Sequence, residues 1–245
     1  RARCWSENAL AVAYAFAYVC PRYKPETGEI EKMVFGRERK PEEVFGINKM
    51  IRIAKSTVAE ILGKCQDGGV ATTLLTSALA SGAIDGAAIS GVDSSTPWLP
   101  KPFLAMSRSD IVENAGTRYC YSPNLIAYKE GVLKGLEKIA FVGTPCQILA
   151  LRRIQKIPLR KYSQPLSLTI GLFCSESFSY KGLMIEKIQN ELGIDLRDVA
   201  KMNIKGGIIV NMKSGKTVRI SLKEAKAYTE PKCLYCDDFS AELAD

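Results

Sequence analysis

The chain has 245 residues, 47% of them hydrophobic, which suits one elaborate globular domain or two small ones. It contains no His, which excludes imidazole metal sites, Rieske-type clusters, Ser-His-Asp triads and Cys-His nucleophile pairs, since each needs imidazole as ligand or base. The formal charge of +8 calls for an anionic partner, but the basic residues are spread along the chain rather than gathered into a nucleic-acid footprint.

Arg1-Ala2-Arg3 and the apolar stretch Ala9 to Cys20 imitate a secretion signal, interrupted by Glu7 and Asn8. The twelve residues Ala9 to Cys20 are too few to cross a bilayer as a helix, so a core helix is expected. Cys20-Pro21 ends this stretch as the last ligand of a bacterial ferredoxin motif would. The preceding ligand positions are Phe16, Ala13 and Leu10, which bind no iron, so with Cys4 the pattern is incomplete. No initiator Met is present, and the chain reads as starting inside a longer protein. Pro25 to Gly46 is charged and loop-rich, an arm leading into the main domain. The expected division is an N-terminal extension, 1–49, and a domain, 50–245.

Cys65-Gln66-Asp67-Gly68-Gly69 is a Gly-rich turn before a helical pattern from Val70 to Ala80, a stop at Gly82 and a strand through Ala87-Ala88-Ile89. A turn followed by a helix exposes free amides, a site for phosphate or the electron-rich edge of a flavin; equally, the glycines serve a tight bend. The polar turn Ala115 to Asn124 combines hydroxyls, an amide and two tyrosines, a mixture able to hold a flat heterocycle and its tail or simply to form a loop.

Lys138 to Val142 reads as a buried strand ending at Gly143-Thr144-Pro145-Cys146, before an amphipathic helix from Gln147 to Ile154. A second run, Leu168 to Phe173, ends at Cys174. Thiols at the carboxyl ends of adjacent parallel strands would share the sheet edge where open α/β folds place ligands. A helix is expected from Tyr180 to Leu192, then antiparallel strands between Val199 and Leu222 with a hairpin at Ser214-Gly215-Lys216. Lys205, in Ile204-Lys205-Gly206-Gly207, is either an anion contact or a solvated turn. Cys233-Leu234-Tyr235-Cys236 can grip one metal centre from one loop. Eight Cys are too few for a disulfide scaffold and fit metal ligation in a reducing cytoplasm. Zinc sites of four thiolates usually present two close pairs, so an iron-sulfur cluster on Cys146, Cys174, Cys233 and Cys236 is favoured over zinc.

Gln66-Asp67-Gly68-Gly69, the Ala115-to-Tyr119 turn with Ser122-Pro123-Asn124, Pro145-Cys146-Gln147, Cys174, the Cys233–Cys236 pair and Ala241-Glu242-Leu243-Ala244-Asp245 together resemble the β subunit family of coenzyme F420-reducing hydrogenase. That family includes formate dehydrogenase β subunits, input subunits of reduced-F420 dehydrogenases and part of F420-dependent sulfite reductase. The resemblance runs from about Ile51 to Asp245. Its members usually continue past Ala-Glu-Leu-Ala-Asp into a Gly- and Ser-containing segment.

The resemblance implies an α/β fold, a mixed sheet with flanking helices plus a small antiparallel part. It also implies an oxidoreductase that exchanges hydride between coenzyme F420 and FAD and single electrons with a 4Fe-4S cluster. Gln66, Asp67, Gly68, Gly69 and Thr72 would lie near the flavin, with Gly116, Thr117, Tyr119, Ser122, Pro123 and Asn124 completing its pocket and Lys205 touching an anionic group. Cys146, Cys174, Cys233 and Cys236 would ligate the cluster. Expected partners are coenzyme F420 and other redox subunits, with no nucleic acid and a membrane met only through a complex. The expected location is the cytoplasm or the cytoplasmic face of such a complex. Two rival readings use the same cysteines: a zinc-stapled basic binding module, and a thiol oxidoreductase using Cys233 and Cys236.

Overall fold

In the computed structural model, residues 18–20, 27–157 and 159–245 are described. Cys4 and most of the stretch Ala9 to Cys20, with its ferredoxin-like positions Leu10, Ala13 and Phe16, lie outside them. Helix α1 (Thr27–Phe35) falls inside the expected arm, but Ile30 is buried in the main core beside Ile148 and Leu151. The charged residues of α1 mask a helix whose one apolar face docks on the chain's centre.

Helix α2 (Ala59–Lys64) leads through the Gly-rich turn into α3 (Val70–Ala80). Strand β1 (Gly86–Val92) pairs antiparallel with β2 (Pro100–Ala105). Helices α4 (Arg108–Glu113) and α5 (Leu125–Leu133) precede β3 (Ile139–Gly143), α6 (Pro145–Lys156), α7 (Arg160–Ser163) and β4 (Leu166–Gly171). The sheet order is β2-β1-β3-β4, with β1, β3 and β4 parallel. β3 is buried along its whole length, as a central parallel strand covered on both faces must be.

The second part is a π-helix (Tyr180–Glu191) packed on a three-stranded antiparallel sheet of β5 (Val199–Ile204), β6 (Gly207–Met212) and β7 (Thr217–Ser221), followed by α8 (Leu222–Lys226). The expected region of antiparallel strands thus holds two hairpins, and Lys205-Gly206 is the turn of the first. Leu183, Ile188, Ile208 and Ile220 form its core. No helix among the described residues is long and apolar enough to cross a membrane.

Residues 239–245 run along β4 as a strap. Thr169 N donates to Asp245 Oδ2 at 2.8 Å, and Arg152 on α6 donates to Asp245 Oδ1 (2.8 Å), Leu243 O (2.9 Å) and Thr169 Oγ1 (3.0 Å). Arg152 is buried and would carry an uncompensated charge without Asp245. Gly171 lets the strap approach: a Cβ there would stand 2.3 Å from Ala241 Cβ. Asp245→Ala is expected to cost about 1–3 kcal/mol in urea unfolding, below the fully buried range because Asp245 is partly exposed. Gly171→Ala should lift the strap and expose residues 239–245 to protease; unchanged stability and protection in both variants would refute the strap's role.

Candidate functional site

The carboxyl ends of β1 and β3 open onto a cavity of about 470 Å³, within the usual range for small-molecule sites. Leu75, Ile89, Ile111 and Val142 form apolar wall, while Thr72, Ser90, Thr117, Ser122 and Thr144 supply hydroxyls. Of the expected flavin residues, Gln66, Asp67, Gly68, Gly69, Thr72, Gly116, Thr117, Tyr119, Ser122 and Asn124 all line it. Pro123 and Lys205 are not in the lining. Pro123 accepts from Ile126 N (2.9 Å) at the start of α5, and Lys205 O accepts from Arg219 in the hairpin turn.

Gly69 caps α3 with φ +69°, and a Cβ there would meet Ile61 Cγ2 at 2.8 Å, so backbone conformation and packing both demand glycine. The bend therefore has its own structural reason. It also leaves the first turn of α3, Val70, Ala71 and Thr72, in the cavity lining without a side-chain cap.

Several polar residues hold the walls instead of offering themselves to a ligand. Buried Asn124 donates to Val142 O (2.9 Å) and accepts from Ser122 Oγ (2.7 Å). Gln147 Nε2 donates to Ser122 O (2.5 Å), while its Oε1 accepts from Thr144 N (3.3 Å). Gln66 donates to Met202 O (2.9 Å) and to Asn203 Oδ1, and Tyr119 OH donates to Met202 O (3.3 Å). These bonds fasten the Gly-rich and Tyr119 turns to β5, whose Ile204 closes one side of the cavity. Burial, with the charge of Asp67 next, raises the Tyr119 pKa and keeps its hydroxyl a donor.

The loop after β4 continues the same wall through Leu172, Phe173, Cys174, Ser175, Glu176 and Ser177. Cys174 N donates to Phe239 O (3.0 Å) in the strap. Ser177 N donates to Cys233 Sγ (3.4 Å), and Ser177 O accepts from Glu230 N (2.9 Å), which docks the Cys-x-x-Cys turn on this loop. Cys146, in the first turn of α6 rather than ahead of it, lies 3.3 Å from Thr144 Oγ1. Cys146 and Cys236 line a second cavity of about 590 Å³ beside α1.

Burial first, then the charges of Cys146 and Cys233, and last that of Cys236, push the Cys174 thiol up to about 11 against a hydrogen bond from Ser177. The other three sequence-predicted thiols thus all act on Cys174, which gathers the four in one region. Among the described residues no three Cys, Asp or Glu side chains already stand as a closed metal-ligand group. Four thiols gathered in one region fit a cationic centre, which would hold them as thiolates. Cys233 and Cys236 sit in a 3₁₀ turn (Pro231–Tyr235) and its cap, not at a helix start after a strand, which removes the setting a thiol oxidoreductase would use.

Two family models, both described as coenzyme F420 hydrogenase/dehydrogenase, beta subunit, match the chain. The model of the amino-terminal part covers residues 51–129, and that of the carboxyl-terminal part covers residues 136–245. A coenzyme F420 hydrogenase subunit beta from Methanosarcina barkeri is 40% identical over 196 residues, 78% of this chain and 67% of that protein. The chain belongs to the coenzyme F420 hydrogenase/dehydrogenase β-subunit family. A family member of the same description from Methanothermobacter thermautotrophicus is 37% identical over 82% of this chain and 72% of its own length. Among solved structures, a chain of the F420-reducing NiFe hydrogenase complex from Methanosarcina barkeri superposes with a TM-score of 0.75. It is 38% identical, and the match covers 83% of this chain and 70% of that one.

Cys120 lines the cavity but carries a different character from the four converging thiols. Burial, with Glu230 second, pushes it up to about 12 from an ordinary 9.0. Because only the thiolate attacks alkylating reagents, Cys120 should stay unmodified by iodoacetamide at about pH 8.5 in the folded protein while exposed Cys20 reacts. Mass spectrometry showing both labelled alike would contradict this. The folded-state value lies above the unfolded one, so this group costs no stability below pH 9.0, and stability falls as pH rises from 9.0 towards about 12, where the unfolded chain releases its proton and the folded chain holds it.

Proposed function

We propose that this chain is an electron-transfer oxidoreductase subunit of an F420-linked redox complex, binding FAD in the cavity at the ends of β1 and β3 and a 4Fe-4S cluster on Cys146, Cys174, Cys233 and Cys236. The observation that carries the reading is the loop 172–177, which walls the cavity and also holds Cys174 among the other three thiols. Bound there, FAD would exchange hydride with coenzyme F420 on one side and single electrons with the cluster on the other.

The residues suit that division. The apolar wall of Leu75, Ile89, Ile111 and Val142 accepts a flat ring and excludes water, and the α3 amides offer donors to an electron-rich edge. Asp67, Gly68, Thr72, Gly116 and Thr117 border the ligand, while Gln66, Tyr119, Ser122 and Asn124 hold the borders in place. No acid-base side chain is needed for hydride exchange between two held rings, which agrees with a chain that lacks His. Coenzyme F420, whose tail carries phosphate and carboxylates, is the substrate of this reading, and the chain's +8 charge favours its approach. Other redox subunits would supply or remove the single electrons.

An anaerobic absorption spectrum of the purified protein tests this directly. Flavin bands over a broad cluster absorbance, bleached by reduced coenzyme F420, are expected; a colourless protein holding zinc would overturn the reading in favour of a metal-stapled module. Cys146→Ala should lower iron and sulfide content and abolish electron delivery to a one-electron acceptor, yet spare hydride exchange between coenzyme F420 and FAD. Full retention of electron delivery would remove Cys146 from the ligand set.

A further inference from the structure

Arg118, in the turn between α4 and α5, is a cation in the cavity wall whose partners return no charge. Its Nε donates to Gly91 O (3.3 Å), Nη2 to Asn114 O (3.2 Å) and Nη1 to Thr117 O (3.5 Å). All three acceptors are main-chain carbonyls, which fix the plane of the guanidinium. Three of its five N–H donors are thereby used and two remain.

Two carboxylates share the cavity lining, Asp67 and Glu176, and neither pairs with it. Glu176 accepts from Thr229 Oγ1 at 2.9 Å, and the charge of Asp67 falls on Tyr119. Burial lowers the Arg118 pKa with no carboxylate opposing it, although a guanidinium remains protonated at neutral pH. Two other arginines of low exposure meet carboxylates: Arg39 with Glu31 and Glu242, and Arg152 with Asp245. A largely desolvated cation left without a counter-charge is costly, and an incoming anion removes that cost.

The backbone beside it keeps the approach open. Gly116 stands at φ +109°, and a Cβ there would come within 3.2 Å of Arg118 Nη1, crowding the fork. The first turn of α3, uncapped by a side chain, lines the same cavity and adds amide donors of the same polarity. A planar fork with two spare donors matches the geometry of phosphate oxygens.

We infer that Arg118 is the anion-recognising residue of this cavity and takes the phosphate oxygens of a phosphate-bearing ligand. In naming that ligand as a flavin dinucleotide, it rests on the function proposed above. Arg118 is then what distinguishes FAD from the uncharged riboflavin, which presents the same ring without phosphate.

The test is calorimetric titration of the full chain, wild type, Arg118→Gln and Arg118→Lys, with FAD, riboflavin and inorganic pyrophosphate. Arg118→Gln should weaken FAD roughly ten- to a hundredfold, the range for a lost charge-assisted hydrogen bond, and leave riboflavin affinity unchanged. An equal loss on FAD and riboflavin, or no loss on either, would overturn the assignment. Circular dichroism checks that Arg118→Gln folds, because the side chain also ties Gly91 to Asn114. If it does not, Arg118→Lys, which keeps the charge and loses the fork, should still lower the FAD-to-riboflavin affinity ratio, and an unchanged ratio counts against the proposal. Should the wild type bind neither flavin, the proposed function fails, and pyrophosphate decides the anion site alone: binding lost in Arg118→Gln upholds it, and no binding to wild type sinks it.

Discussion

The ion pair of Arg152 with Asp245, shared with Thr169, is the constraint on which the placement of the cysteines depends. It joins α6, β4 and the final residues in one network centred on buried Arg152 and Thr169. α6 begins at Cys146's turn and β4 runs into Cys174, while the strap begins just beyond Cys236. Fixing the strap along β4 therefore fixes the third and fourth thiols relative to the first two. Positive φ at Ala241 marks the bend that turns the chain onto the sheet, with Asp238 accepting from Ser240 N and Ala241 N at its start. A long stretch of chain separates Arg152 from Asp245, and the entropy of closing so long a loop is met by giving a buried charge its counter-charge.

The elements easiest to read in the sequence are those whose local signal and tertiary role agree. Val70 to Ala80 is helical as its periodicity indicates, β3 is the continuous apolar run before Pro145, and Ser214-Gly215-Lys216 turns a hairpin with Gly215 at positive φ. β2 carries no such signal, because Pro100 and Pro102 argue against a strand. It exists as an edge strand, where a missing N–H can face away from its neighbour β1. α1 hides behind its charges, since only Ile30, Val34 and Phe35 commit it to the core. The expected helix after Cys174 is present, but wound as a π-helix, a difference in pitch that apolar spacing does not encode.

The site shows the same division between type and role. Sequence patterns bring the right turns to one cavity, because Gly-rich and hydroxyl-rich segments at strand ends have few other places to go. They do not separate residues that touch a ligand from residues that hold those residues. Asn124 and Gln66 look like ligand-binding amides, yet each spends its donors on a carbonyl across the chain. Arg118 looks like one more surface cation until its neighbours prove to be carbonyls. Only the folded arrangement tells which hydrogen-bonding capacity is already consumed.

That accounting gives the small antiparallel sheet its purpose. A cavity at the ends of β1 and β3 alone would stand open to water beside the Gly-rich turn. Met202 O, accepting from both Gln66 and Tyr119, pins β5 across it, and Lys201 Nζ reaches Gln66 O at 3.2 Å from the same strand. Apolar packing joins the same seam, since Cys120 is buried in the small sheet's own cluster and Trp98 and Tyr119 pack against it. The hydrogen bonds fix orientation, and the apolar packing of Cys120, Trp98 and Tyr119 holds the two parts together. The seam runs beside the cavity, where Tyr119 and Cys120 both line the cavity and pack on the small sheet's cluster. Ligand contacts made from both sides of the seam would add to these bonds and this packing.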